Sequence, residues 1–377
     1  MRLLFFDFAL PHLLADDEFP VGGFAVQLEQ WLRGADEIGV RAGVLTWKGA
    51  TAHVGREIPY ELLEAFDPGT GIRVAKYFYS YIPSLLRAAR AFGPDAIVQS
   101  CASVYTGILS HVAWRLGIPF VYRAASDVDV DDRVRALLGR FEHIAYRHGL
   151  GASDLVICQN AYQIEQIRRA WPEKPTLHLQ NSLRIAEDAA APRRRRDRGY
   201  VAWLGIFRRE KNLPLLARVA DALPGIPFRV AGMPHAGTDA ETLAAVGVLE
   251  KLPNVRMTGY LKRTEVPDFL EQATALLCTS HFEGFSNTFL EAFAGGTPVL
   301  TRKGVDPDGI VERHGLGHTA ESDADLIASI SRLSALPAED YDALAGRARA
   351  YVKAHHAPRA AMLKVIGKID EIVARRQ

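Results

Sequence analysis

An alternation kept up from end to end most constrains what this chain can fold into. Short apolar runs of strand length are each followed by a stretch with helical spacing. The runs are Leu3–Phe6, Val44–Thr46, Ala96–Val98, Phe120–Tyr122 and Leu155–Ile157, then Val201–Leu204, Phe228–Val230, Val255–Thr258, Leu276–Cys278 and Val299–Thr301. Between them, sets such as Phe24, Leu28, Trp31 and Leu215, Val219, Leu223 recur at three and four residues, which marks one buried helix face. Parallel strands need a long crossover, usually a helix, so this alternation predicts parallel sheets covered on both faces. Two runs of five strands predict an α/β chain of two doubly wound domains. At 377 residues the chain is long enough for two cores, since a single core stops growing well before that length.

The break falls where the pattern stops, over 184–199. The segment AEDAAAPRRRRDRG has no apolar periodicity and sets Pro192 beside Arg193–Arg196, the composition of an exposed linker. The chain therefore divides into a first domain, 1–183, and a second, 200–357. A last helix over 358–377 repeats apolar residues at Met362, Ile366, Ile369 and Val373, a face that fits either domain.

Residues 278–301, CTSHFEGFSNTFLEAFAGGTPVLT, carry the strongest functional signal. An apolar strand (Ala275, Leu276, Leu277) breaks at a polar turn around His281 and Gly284. A helical pattern resumes through Phe289, Leu290 and Phe293 and stops at Gly295-Gly296, before the next strand at Val299. Glu283 lies in the turn, and Glu291 eight residues on in the helix. Ligands of open α/β sheets bind beyond the carboxyl ends of the strands. A helix start at about Asn287 and Thr288 aims backbone N–H groups there, which suits a diphosphate. Two carboxylates beside a phosphate site suit a ligand with both phosphate and hydroxyls, such as a sugar nucleotide.

This stretch resembles the Glu-x7-Glu signature of retaining glycosyltransferases of the GT-B fold, family 4 in particular. PVGGFAVQLEQWLRG resembles that family's glycine loop and first helix, and YVAWLGIFRREKNLPLLARVADALPGIPFRVAG its strand-helix-strand unit in the second domain. NVRMTGYL, the EGFSNTFLEAF block and VDPDGIVERHGLG follow in the family's order. The resemblance implies two Rossmann-like domains facing across a cleft, with the terminal helix 358–377 crossing back to the first. It implies that Glu283 binds hydroxyls of the transferred sugar and Glu291 the ribose. Backbone groups at Gly284, Phe285, Asn287 and Thr288 would contact sugar and phosphate, with Lys211 on the diphosphate. It implies no covalent enzyme intermediate, no metal and no cofactor, the leaving diphosphate taking the acceptor's proton as the domains close about the linker.

The chain also departs from the pattern. Ile206 stands where the family has the arginine that shares the diphosphate with the lysine, leaving Arg208 or Arg209 as substitutes. Ser286 replaces a usual glycine or proline. Ala125 stands where many members have a histidine, and Arg123 and Asp127 are the nearest polar residues. Gly22 and Gly23 open the first long helix, where paired glycines permit unusual angles and close approach to a ligand. No G-x-G-x-x-G follows the first strand, which excludes an ordinary dinucleotide dehydrogenase. Asp127, Asp129, Asp131 and Asp132 precede a helix from about Arg133, where acidic side chains cap N–H groups; a metal reading of Asp-x-Asp is the weaker one. His143 and His148, five apart, do not share a helix face and have no cysteine pair beside them.

Composition excludes several classes. Forty-five Lys+Arg against 44 Asp+Glu give a net charge of +1, so no global field draws the chain to nucleic acid. Cys101, Cys158 and Cys278 stand far apart in apolar surroundings, which fits free thiols in a reducing compartment. No apolar run reaches the roughly 18 residues that span a bilayer, and Asp7 interrupts the first after six residues. The expectation is a cytoplasmic protein, with Arg193–Arg196 giving at most a weak peripheral contact at the inner membrane face. The expected activity is transfer of a hexose from a nucleotide diphosphate sugar to a glycan, glycolipid or small-molecule acceptor. The alternatives are a UDP-sugar epimerase on the same fold and a non-catalytic nucleotide-sugar binding protein, the latter motivated by Ile206 and Ala125.

Overall fold

The computed structural model describes all residues except 18, 20, 73, 187–190, 236 and 377. Two compact units form, one of Met1–Ser182 with Ala357–Gln377, the other of Leu183–His356. Among the described residues, seven strands build the first unit's sheet: β1 (Arg2–Phe6), β2 (Arg41–Trp47), β3 (Glu61–Phe66), β4 (Ala96–Ser100), β5 (Phe120–Arg123), β6 (Leu155–Cys158) and β7 (Thr176–His178). Six build the second: β8 (Tyr200–Leu204), β9 (Phe228–Ala231), β10 (Val255–Gly259), β11 (Ala273–Leu277), β12 (Val299–Arg302) and β13 (Gly317–Ala320). Every pairing is parallel, as the alternation requires.

The first sheet runs β3-β2-β1-β4-β5-β6-β7, with Phe5 of β1 opposite Val44 of β2 on one side and Val98 of β4 on the other. Central strands are buried on both faces, which is why they read as unbroken apolar runs. The helix Pro358–Arg376 packs on the helix Gly23–Glu37 and buries Met362, Val365 and Ile369. Gly34 makes that contact possible: a Cβ there would stand 2.5 Å from the Pro358 carbonyl oxygen. Any side chain would push the two helices apart.

The second sheet runs β10-β9-β8-β11-β12-β13. The order reverses between β8 and β11, so their carboxyl ends flank the position where open α/β sheets bind ligands. The loops after β8 and β9 touch closely. Gly232 has φ 142°, and a Cβ there would stand 2.0 Å from the Gly205 carbonyl oxygen, so only glycine fits.

Three strands lie beyond the ten expected from sequence: β3, β7 and β13, each at a sheet edge. Arg193, Arg194 and Arg196 of the arginine run are exposed, as a solvated linker requires, yet the run is tied to the second unit. Residues 187–190 of that segment lie outside the described residues, but Arg193 pairs with Asp268 at 2.7 Å and Arg194 with Asp342 at 3.2 Å. Arg195 donates to the Ser334 carbonyl at 2.9 Å. Arg198 is buried and donates to the carbonyls of Ala273 and Gly295, both at 2.8 Å, and to Thr297 Oγ1 at 2.7 Å. Missing apolar periodicity marks a loop; the distant partners that fix it leave no local trace.

Candidate functional site

The loop leaving β8 carries Gly205 through Lys211, and the loop leaving β11 carries Cys278 through Ser286, so both emerge at the reversal point of the second sheet. Backbone and side-chain bonds lock them together. His281 N–H donates to the Glu210 carbonyl at 2.8 Å, and Thr279 Oγ1 donates to the Lys211 carbonyl at 2.7 Å while accepting from Trp203 Nε1 at 3.0 Å. This frame holds the Lys211 ammonium 2.5 Å from Glu283 Oε1, and Ser280 Oγ donates to the same oxygen at 2.6 Å. Burial alone lowers the ammonium's pKa, but the adjacent Glu283 carboxylate outweighs it and the net shift is upward. Lys211 is therefore charged at neutral pH. One small pocket is lined by Lys211, Glu283, Ser280, Thr279 and Thr288.

Thr288 sits in the first turn of the helix Asn287–Ala294, whose start at Asn287 is where the sequence predicts it. Ser286 is its N-cap residue without a side-chain cap bond to the helix; its hydroxyl pairs with Thr288 Oγ1 at 2.8 Å. Gly284 and Phe285 are buried, Phe285 against the second unit's core. Glu291, one turn further in, is buried and its Oε1 accepts from the Arg263 guanidinium. Arg208 is half exposed and lies 3.8 Å from Glu210.

In the first unit the sequence-derived candidates have other surroundings. Gly22 precedes the helix Gly23–Glu37 with φ −73° and ψ 160°, ordinary extended backbone. These torsions do not require glycine; nothing lies within 4 Å of where a Cβ would project, so open space rather than torsion distinguishes the position. Arg123 is 1% exposed. Its guanidinium donates to Asn181 Oδ1 and lies 5.1 Å from the Trp31 ring centroid, and burial lowers its pKa to about 10. Asp127 Oδ1 accepts from Asn160 Nδ2 at 2.9 Å and Gln163 Nε2 at 3.0 Å, and burial raises its pKa. Asp129 closes a capping box with Ser126 and accepts from Ala125 N–H at 2.8 Å.

Of the candidates, then, Lys211, Glu283 and Thr288 meet in one pocket and Glu291 lies in the adjoining helix. Arg123 and Asp127 belong to the other unit and are tied into its framework. Sequence reading missed Ser280, Thr279 and Arg263. Arg263 follows β10 with no spacing rule to connect it with Glu291.

Residues 185–351 match the family model of glycosyl transferases group 1, which places the match within the second unit. Solved structures extend the likeness over the whole chain. A sucrose-phosphate synthase from Thermosynechococcus elongatus is 18% identical, covers 100% of both chains and superposes with TM-score 0.72. Anabaena HepE, solved in complex with UDP-glucose, is 14% identical with TM-score 0.72 over 98% of this chain and 100% of its own. S. aureus TarM, solved with fondaparinux, α-GlcNAc-glycerol and UDP, is 11% identical with TM-score 0.71 over 98% and 99%. No curated protein matches the chain. At these identities the superpositions establish the fold, which is GT-B. Family match and fold together support a glycosyltransferase. Among the described residues, no helix is long and apolar enough to cross a membrane.

Proposed function

We propose that the chain is a retaining hexosyltransferase, moving a hexose from a nucleotide diphosphate sugar to a glycan or lipid-linked acceptor. One observation carries this reading. At the reversal point of the second sheet, an ammonium and a carboxylate 2.5 Å apart lie in one pocket with Thr288, in the first turn of the helix that carries Glu291. The two ion pairs are groups a donor can replace. Donor phosphate oxygens would take the Lys211 ammonium, and sugar hydroxyls the Glu283 carboxylate. The ribose would take Glu291 from Arg263.

The protein's contribution to chemistry would be positioning and stabilisation of the departing diphosphate, where fixed charges aimed at developing negative charge act most strongly. Lys211 and the amino end of the helix Asn287–Ala294 would supply that charge, the helix through its dipole. Ile206 supplies no charge, Lys211 is the cation of this loop that lines the pocket, and the leaving diphosphate would take the acceptor's proton. The UDP-glucose and UDP complexes of HepE and TarM are consistent with such a donor.

The test is the stereochemistry of slow donor hydrolysis, followed by NMR at early times. Release of the hexose first in the donor's own anomeric form is expected. Release first as the opposite anomer would contradict retention, and binding without release would favour the non-catalytic alternative.

A further inference from the structure

The first unit holds its own cluster of ligating side chains. We infer that His12, Asp17 and His53 form a binding site for a divalent metal ion of the zinc class. The three come from separate segments beyond the carboxyl ends of the neighbouring strands β1 and β2: His12 from the helix Leu10–Ala15, Asp17 from just past that helix, His53 from the helix Ala50–Val54. Their ligand atoms all lie within 4.8 Å of one another. His12 Nδ1 and His53 Nε2 are each 2.7 Å from the same oxygen, Asp17 Oδ2. The other carboxylate oxygen accepts from Phe19 N–H at 2.9 Å, which fixes the orientation of the ligating one.

The surroundings suit an ion. Phe19 stacks on His12 with centroids 4.1 Å apart, and Trp47 lies 5.6 Å from His12 and 5.4 Å from His53. These rings restrict how the imidazoles turn. All three ligands remain part-exposed, so an ion has access. Two imidazole nitrogens and a carboxylate oxygen form a donor set that zinc favours, with a fourth position for water. With metal–ligand bonds of about 2.0–2.2 Å, tetrahedral neighbours stand about 3.3 Å apart. Entry of an ion therefore moves Asp17 Oδ2 back by roughly half an ångström and replaces the protons between it and the two rings. The ion would tie the segment leading to Gly22 and Gly23 onto the helix after β2. The ligands are spaced 5 and 36 residues apart in the chain.

The test uses the full chain, stripped with a chelator and titrated calorimetrically with Zn²⁺, beside His53→Ala and Asp17→Asn. Circular dichroism of the metal-free proteins checks that each variant folds, and His53→Gln replaces His53→Ala if that variant does not. The wild type should bind one ion per chain that both variants bind at least about a hundredfold more weakly, since even an outer-shell partner is worth 10–100-fold. Co²⁺ in place of zinc should give a tetrahedral ligand-field spectrum in the wild type that the His53 variant lacks. Equal affinity in wild type and folded variants, or no stoichiometric binding by the wild type, would overturn the inference. The cluster would then be a hydrogen-bonded clasp. None of these readouts depends on sugar transfer.

Discussion

The two units share one plan, yet they hold their charges differently. In the second, Lys211 and Glu283 are 25% and 14% exposed and answer mainly to each other and to Ser280. In the first, Arg123 is 1% exposed beneath Trp31, and Asp127 and Asp129 are held by side-chain amides and backbone N–H groups. On the proposed function, the difference separates charge kept for a ligand from charge kept for the fold. A ligand can displace a side-chain ion pair at a pocket wall, because both partners regain equivalent contacts from phosphate and hydroxyl groups. It cannot displace a backbone amide from a buried carboxylate without unfolding the turn.

Substitutions can break or sharpen that contrast. The largest effect is expected for Glu283→Gln, which keeps an acceptor for Ser280 but loses the charge. Donor turnover should fall by about 10³-fold, on the order of 4 kcal/mol, with little change in the midpoint of thermal unfolding. Arg123→Met should show the reverse signature. The substitution removes a buried guanidinium that donates to the neutral Asn181 Oδ1, a loss of about 1–3 kcal/mol, so urea unfolding of the first unit should shift while donor binding holds. Loss of turnover at unchanged stability in Arg123→Met would break the contrast. Glu291→Gln should raise the donor KM about tenfold at unchanged kcat, the mark of about 1.4 kcal/mol of uniform binding.

The remaining effect is in pH dependence. Burial pushes the Asp7 carboxyl up to about 7 and Asp129 up to about 6, against an ordinary value of 3.8. Between about pH 4 and 7 the folded first unit therefore binds protons that the unfolded chain has released, and its stability falls as pH rises through that window. Denaturant midpoints from pH 4.5 to 8 should follow this slope, and Asp7→Asn should flatten it. A first unit that gains stability over the same range would show that other groups dominate.

How much was legible in sequence follows from the same physics. Central parallel strands are buried on both faces and must be apolar throughout, so β1, β4, β5, β8, β11 and β12 stood out. The missed strands β3, β7 and β13 are edges with half-buried sequences, ELLEAF, TLH and GHTA, that need no apolar run. Glu283 and Glu291 were readable because one turn and one helix fix their spacing. Arg263 was not, because its partner lies 28 residues away across the sheet edge. The His12–Asp17–His53 cluster was invisible for the same reason, its members arriving on three separate segments.

The central claim is that the Lys211–Glu283 pocket binds and activates a nucleotide diphosphate sugar. A panel of such sugars against the wild type, Glu283→Ala and Lys211→Ala, with thermal shift for binding and nucleoside diphosphate release for turnover, tests it most directly. The account predicts that one donor stabilises the wild type and is slowly hydrolysed, and that both variants lose release. Failure of every donor to bind the wild type, or release that survives both substitutions, would contradict it.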